Sequence, residues 1–124
     1  MKTTLKLALA GATVLACAAT LHAQPAKTAP AYLIVEVEVK DPNTFKKYAT
    51  SIPETLAPFG GRFIVRGGKT DTLEGAAPKR IIVIAFDSME KARGWWDSPA
   101  YAAIRPIRHS AAETRMYFVE GVAP

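Results

Sequence analysis

The chain has 124 residues, of which 49% are hydrophobic, and its 16 basic and 11 acidic side chains give a formal net charge of +5. This length allows one domain with a core of its own and is too short for two. The basic residues form no dense cluster interleaved with aromatic side chains, so the composition argues against nucleic-acid binding.

Residues 1–23 have the pattern of a secretory signal peptide. Lys2 and Lys6 provide a basic start, an apolar run follows over residues 7–19, and the small residue Ala23 stands where a signal peptidase would cut. The apolar run is too short to span a bilayer. The sequence therefore predicts cleavage after Ala23 and a bacterial protein that is periplasmic or secreted.

A second cleavage position is open, since VLAC at residues 14–17 resembles a bacterial lipobox. Cleavage there would leave a lipidated Cys17 and a membrane anchor. Otherwise Cys17 is an apolar residue within the signal, and no membrane contact is expected. After cleavage at Ala23 the chain has no cysteine, which excludes disulfides and a thiol nucleophile. Loss of Lys2 and Lys6 leaves 14 basic and 11 acidic residues, a net charge of +3.

The mature chain starts with a flexible leader over residues 24–30, which contains two prolines and no periodicity. A single domain is predicted over residues 31–124. Its first strand, residues 31–40, alternates four apolar residues with a second face that ends in Glu36 and Glu38.

A helix should then begin at the N-cap residue Asp41, with Pro42 in its first turn. Pro53 removes a backbone donor and is expected to kink or split this helix. The apolar stripe of the helix comprises Phe45, Tyr48, Ala49, Ile52 and Leu56.

The second strand, residues 62–66, is predicted to place Arg62 and Arg66 on one face and Phe63 and Val65 on the other. The third strand, residues 80–86, is continuously apolar after its first residue. Such a run is typical of a strand that is buried on both faces.

Ser88 and Ser98 should cap two further helical pieces, and the fourth strand covers residues 114–122. The order β-α-β-β-α-β predicts an α+β, ferredoxin-like sandwich with helices on one face of an antiparallel sheet, whose first and third strands are central. Because the third strand is apolar on both sides, a second copy should cover the free face. We therefore expect a homodimer through sheet faces, a dimeric α+β barrel.

Several spaced motifs resemble one bacterial family. They are AYLIVEVEVKDP, GGRFIVRGG, LEG, KRIIVIAF and WWDSPAYAAIRPIR, and together they extend over residues 31–122. They resemble the domain of unknown function family DUF1330, which is similar to the dimeric α+β barrel superfamily. That superfamily includes antibiotic-biosynthesis monooxygenases, muconolactone isomerases and haem-degrading enzymes. The resemblance implies the barrel fold and leaves the activity open.

Arg66, Gly67 and Gly68 form a candidate ligand-binding segment. An arginine fork holds a carboxylate or phosphate in a bidentate manner, and adjacent glycines allow close approach of the backbone. The alternative is a strand end that needs a positive φ angle beside a surface arginine.

A second candidate site lies in the last helical region, where Trp96, Arg105 and Arg108 would bind an anionic, partly aromatic molecule. Tyr101 and Arg108 are two helical turns apart and share a face. The alternative is that Tyr101 is a core residue and that the cations lie near the helix C-terminus, where the helix dipole favours them.

His109 is the histidine that remains after cleavage at Ala23, and with Tyr101 it is a candidate catalytic residue. The alternative is a surface histidine at a helix end. One histidine without cysteine predicts no metal site, and no cofactor is expected, since haem on His109 is implied by the superfamily resemblance alone. The sequence thus predicts an exported binding protein for a small anionic or aromatic molecule. The alternative is a cofactor-independent, monooxygenase- or isomerase-like enzyme for a small organic substrate.

Overall fold

The structure is a computed structural model that describes residues 2–6, 8–20 and 27–124. The predicted cleavage site after Ala23 lies outside the described residues. Cys17, which belongs to the alternative cleavage site, is exposed. Within the described part of the chain, the first strand begins at Ala31, where the predicted domain starts.

The domain contains four strands, three α-helices and one short 3-10 helix. In chain order these are β1 (Ala31–Val39), α1 (Pro42–Leu56), the 3-10 helix (Ala57–Phe59), β2 (Arg62–Arg66), β3 (Arg80–Phe86), α2 (Met89–Trp96), α3 (Pro99–Ala111) and β4 (Ala112–Glu120). The strands form one antiparallel sheet in the order β2-β3-β1-β4. The predicted α+β, ferredoxin-like sandwich with the first and third strands at its centre is confirmed.

The central strand β1 separates two faces of the sheet. Leu33 lies opposite Ile84 of β3 and Phe118 of β4; Leu33 and Ile84 belong to the core beneath the helices, and the partly buried Phe118 packs against it. Glu36 and Glu38 lie on the opposite face and are partly exposed in the single chain. The prediction that the two carboxylates lie opposite the apolar side of this strand is confirmed.

Side-chain caps begin the three helices as predicted. Asp41, Ser88 and Ser98 each accept a hydrogen bond of 3.2 Å from the backbone N–H three residues further along. Such caps pair donors that a helix start leaves without an intrahelical partner. The fourth strand begins at Ala112, two residues before its predicted start, because α3 leads into it without a loop.

Helix α1 is continuous through Pro53, so the prediction that this residue would split the helix is wrong. A proline inside a helix removes the donor for the carbonyl four residues before it, which here belongs to Ala49. The Nη2 atom of Arg66 donates to this oxygen over 3.5 Å. A side chain from β2 therefore replaces the missing backbone donor.

Strand β2 contains a β-bulge that changes its predicted faces. Phe63 and Val65 lie opposite neighbouring residues of β3, so Ile64 is an extra residue. Because the bulge shifts the alternation by one position, Arg66 lies on the same side as Phe63, and its guanidinium carbon is 4.2 Å from the ring centroid. The prediction that Arg66 shares a face with Arg62 is wrong.

Aromatic side chains fill the layer between the helices and the sheet. Trp95 and Tyr101 are 1% and 0% exposed, and their ring centroids are 4.1 Å apart. The indole Nε1 of Trp95 donates to the Thr55 hydroxyl over 3.0 Å, so its polar atom is paired although it is buried. Tyr101 is therefore a core residue, in agreement with the alternative interpretation.

Candidate functional site

An open groove lies between α2 and the edge strand β4, on the side of the sheet that the helices cover. Its volume is about 520 Å³, which is the size of typical small-molecule sites. The residues that line it are Leu33, Met89, Arg93, Trp96, Met116 and Phe118, together with Tyr117, whose position in β4 belongs to the opposite face of the sheet.

The groove combines an apolar wall with one cation. Methionine side chains adapt to irregular shapes, and aromatic rings offer flat faces for stacking. Arg93 is exposed, and its guanidinium carbon lies 5.9 Å from the ring centroid of Phe118. Within the described residues, no carboxylate lies within 4.0 Å of Arg93. Its charge is therefore available to a negatively charged molecule.

A cavity of about 30 Å³ lies behind the groove, between the sheet and the helices. Leu33 and Met116 line both the groove and the cavity, so these two side chains form the partition between them. Tyr48, Arg108 and Thr114 are among the residues that line it, but the surface that faces the cavity is almost wholly apolar. A buried polar cluster is thus separated from the open groove by two flexible apolar side chains.

Hydrogen bonds connect the members of this polar cluster. The hydroxyls of Tyr48 and Tyr101 are 3.1 Å apart, and Arg108 Nη1 donates to the Thr114 hydroxyl. Arg108 Nη2 lies 3.2 Å from Nε2 of His109. Because a guanidinium group can only donate, this histidine nitrogen is the acceptor. The two predicted catalytic residues therefore take part in different hydrogen bonds: buried Tyr101 pairs with Tyr48, and exposed His109 accepts from Arg108.

Arg108 is only 5% exposed, and no carboxylate neutralises it within 4.0 Å in the described part of the chain. Its Nε atom is buried and has no hydrogen-bond partner there. The last turn of α3, to which it belongs, contributes only partial negative charge. Burial of a charge without a full counter-charge is costly, so the hydrogen bonds to Thr114 and His109 and the helix dipole offset part of this cost.

Tyr48 remains protonated beside this arginine. Burial raises the pKa of the Tyr48 phenol above its ordinary value, the neighbouring Tyr101 raises it further, and Arg108 acts in the opposite direction. The side chain is 4% exposed. A neutral hydroxyl can still donate a hydrogen bond, so the cluster offers hydroxyl and guanidinium donors and no negative charge.

Trp96 and Arg105 contact each other. The guanidinium carbon of Arg105 lies 4.2 Å from the ring centroid of Trp96 and 5.1 Å from that of Tyr101, and its Nη2 donates to the Trp96 carbonyl over 2.7 Å. These contacts hold α3 against α2. Trp96 lines the groove, whereas Arg105 does not.

Arg66, Gly67 and Gly68 lie at the end of β2, which is the opposite edge of the sheet from the groove at β4. Gly67 has a φ angle of +67° and donates its backbone N–H to the Ile81 carbonyl over 2.7 Å. The predicted ligand-binding residues are therefore not all brought together. Trp96 lines the groove and contacts Arg105, Arg108 lines the buried cavity, and the Arg66 segment lines neither.

Trp96 and Arg108 are the predicted site residues among those that line the groove and the cavity, and the lining residues that were missed include Tyr48, Arg93, Thr114 and Met116. A signal for two of them existed, since Arg93 lies one helical turn before Trp96, and Met116 follows Thr114 on the same face of β4. The burial of Arg108 beside Tyr48 had no local signal.

Residues 2–6, 8–20 and 27–124 contain no group of three metal-ligating side chains. Among the same residues, no helix is both long enough and apolar enough to cross a membrane.

The fold is shared with several solved structures. A Rhodopseudomonas palustris protein of unknown function superposes with a TM-score of 0.64 at 14% identity, over 81% of this chain and 88% of that chain. The cofactor-independent oxygenase SnoaB from Streptomyces nogalater has a TM-score of 0.56 at 11% identity, over 78% and 97%. A dimeric ferredoxin-like protein of unknown function from Thermobifida fusca has a TM-score of 0.52 at 14% identity, over 76% and 92%. These identities show the fold alone, and the chain is a ferredoxin-like α+β protein.

The sequence identifies a family, which is narrower than the fold. The model of a domain of unknown function, DUF1330, matches residues 30–122. The chain belongs to this family, which confirms the resemblance of its spaced motifs. Among curated proteins, none matches the sequence.

The two glycines after Arg66 should respond differently to substitution. Gly67→Ala should lower the free energy of unfolding by about 1–2 kcal/mol, because alanine is strained at positive φ. Its Cβ would also lie 2.3 Å from Arg80 Nε, which would have to move. Gly68→Ala is the control, since nothing lies within 4 Å of its added Cβ, and it should change stability by less than about 0.5 kcal/mol. Urea unfolding measures both; equal stabilities would leave Gly67 open to a ligand-binding role.

Proposed function

We propose that this protein binds a small molecule with an aromatic body and one negative charge in the groove between α2 and β4. The observation that carries the proposal is the unpaired Arg93 beside an apolar wall of methionine and aromatic side chains. Pockets of this kind bury a ligand's apolar surface and use a few polar groups to orient it. A carboxylate or sulfonate near Arg93 would form a charge-assisted hydrogen bond there.

The probe for this proposal is 2-naphthoate, with 2-naphthamide as its neutral counterpart. Arg93→Met should weaken 2-naphthoate binding about tenfold and leave 2-naphthamide binding unchanged, because the substitution keeps the apolar stem and removes the charge. Isothermal titration calorimetry measures both affinities.

Lys91→Met is the matched control, since Lys91 is an exposed cation on the same helix and does not line the groove. It should leave both affinities unchanged. The proposal fails if the unaltered protein binds neither probe, or if Lys91→Met weakens naphthoate binding as much as Arg93→Met does.

A cofactor-independent enzyme is the second candidate, and the observation that favours it is the cluster of Tyr48, Tyr101 and Arg108 directly behind the groove. The fold is also that of SnoaB, which is described as a cofactor-independent oxygenase. An enzyme converts its ligand, whereas a binding protein returns it unchanged. Mass spectrometry of a co-purifying molecule, before and after incubation in air, separates the two.

We also propose that a second copy of the chain covers the open face of the sheet. Val65, Tyr117 and Val119 are 39%, 49% and 44% exposed in the single chain, which is unusual for large apolar side chains of a sheet. Glu36 and Arg115 lie opposite each other on this face. A face with apolar, acidic and basic groups suits a two-fold interface, in which the same surface meets itself. The Thermobifida fusca protein with this fold is described as dimeric.

Two neighbouring substitutions on β3 test the dimer. Val83 faces the open side and is half-buried, so Val83→Lys should give a folded monomer in native mass spectrometry. Ile84 faces the helices and is 2% exposed, so Ile84→Asp should destabilise the domain by about 4 kcal/mol or more and abolish its circular dichroism signal at 25 °C. A monomeric unaltered protein, or a Val83→Lys dimer, would contradict the proposed interface.

We further propose that the protein is exported, with a mature N-terminus at Gln24. The basic start, the short apolar run and Ala23 support this. Expression of the full chain in a bacterium should yield periplasmic protein whose intact mass begins at Gln24. A lipidated Cys17 would appear instead as a heavier species in the membrane fraction, and cytoplasmic protein that retains Met1 would contradict export.

A further inference from the structure

We infer that Lys46 and Arg80 form a second small-molecule site, which binds the phosphate of a small phosphate monoester with a compact apolar body. The site is an open cleft of about 440 Å³ between the first half of α1 and the start of β3, and we call it the basic cleft. The residues that line it are Val39, Pro42, Phe45, Lys46, Ala49 and Arg80. None of them lines the groove between α2 and β4.

Strand pairing brings Arg80 to this cleft. Arg80 is the first residue of β3 and lies opposite Val37, a core residue of β1 that is 2% exposed. Paired residues of neighbouring strands lie on the same face, so Arg80 leaves the sheet on the side that the helices cover. Lys46 reaches the cleft from α1, one residue after the buried Phe45. Two cations from distant segments therefore line one space.

Gly67 makes room for the Arg80 side chain. Its φ angle is +67°, and its N–H donates to the Ile81 carbonyl over 2.7 Å, which keeps this glycine beside the start of β3. A Cβ added to Gly67 would overlap Arg80 Nε and lie 2.8 Å from its Cζ atom. The guanidinium group therefore lies against the glycine backbone, and the Arg-Gly-Gly segment contributes to the cleft by positioning Arg80.

Hydrogen-bond donors face this cleft. Polar and apolar atoms contribute about equally to the surface around it. The polar side-chain atoms of its lining residues belong to Lys46 and Arg80, whose nitrogens can only donate. Both side chains are exposed, and in the part of the chain that the structure describes neither makes a hydrogen bond or an ion pair. Their donors are therefore free for a ligand.

The charge of the cleft favours a dianion. Arg66 adds a third cation, because it lies opposite Ile82, two residues after Arg80 on the same face. Among the described residues, no carboxylate lies within 4.0 Å of Lys46, Arg66 or Arg80. These exposed cations repel each other only weakly, but their combined field attracts an anion. A phosphate monoester carries a charge of about −1.5 to −2 at pH 7 and three acceptor oxygens, which suits an ammonium beside a guanidinium fork.

The floor of the cleft is apolar. Val39 and Ala49 are half-buried, and Phe45 is 7% exposed. Small-molecule sites combine such a surface with a few polar groups, and the volume of the cleft is in their usual range. The esterified group of the ligand would contact this floor while its phosphate meets the two cations.

Phenyl phosphate tests this site, with benzoate and inorganic phosphate as comparison probes. Calorimetric titration at about pH 8, where the phosphate is a dianion, should show phenyl phosphate binding about tenfold tighter than either. Benzoate has the same ring with one charge, and inorganic phosphate has the charge without the ring. In NMR spectra, phenyl phosphate should shift the amide resonances of Gly67 and Arg80 and leave those of α2 unchanged.

Two variants and two controls assign the binding to the cleft. Lys46→Met and Arg80→Met should each weaken phenyl phosphate binding about fivefold or more, because each keeps an apolar stem and removes a charge. Lys47→Met is the matched control, since Lys47 is the next residue of the same helix, is exposed and does not line the cleft. It should leave the affinity unchanged, as should Arg93→Met. The substituted residues are exposed, so all four variants should fold.

Three results would overturn the inference. The first is an unaltered protein that does not bind phenyl phosphate, and the second is benzoate or inorganic phosphate binding as tightly as phenyl phosphate. The third is a Lys47→Met variant that loses as much affinity as Lys46→Met. Each leaves the proposed groove ligand standing, because naphthoate binding there depends on Arg93 and is measured separately.

Discussion

The pairing of β1 with a neighbour on each side is the constraint on which the rest of the structure depends. Its alternation assigns every paired residue of β3 and β4 to the helix-covered face or the open face. Leu33 shows the consequence, since it belongs to the core, to the groove wall and to the cavity wall at once. A slip by one residue would place Glu36 under the helices and expose Leu33. The core and the groove therefore require the same register.

The elements set by local chemistry could be predicted from the sequence. The alternation of apolar residues along β1 predicted its two faces, and a serine or aspartate before each helix predicted where that helix begins. The bulge at Ile64 could not be predicted, because the sequence of β2 is typical of a regular strand. The extra residue is defined by how β2 pairs with β3, which the sequence of β2 alone does not show. Pro53 was misjudged for a similar reason. The group that compensates for its missing donor is Arg66, on another strand. Both errors concern contacts between elements distant in sequence.

The candidate site was predictable only in pieces. Trp96 was predicted to bind a ligand and does line the groove, but Arg93, one helical turn before it, was not predicted. The sequence left two interpretations of Arg108 open: it could contact a ligand, or it could be a cation that the helix dipole favours. Its burial follows from the packing of α3 on α1, where Tyr48 and Tyr101 meet across 53 residues of sequence. Side chains from distant segments create this environment, so no spacing within one helix could indicate it.

Arg93 and Arg108 lie on opposite sides of Leu33 and Met116, and they differ in the free energy that a charge without a counter-charge costs. Water solvates Arg93 in the groove, so its lack of a partner costs little and only attracts an anion. Arg108 lies where the dielectric constant is low, so its hydrogen bonds to Thr114 and His109 and the partial negative charge at the end of α3 must offset the cost of burying its charge.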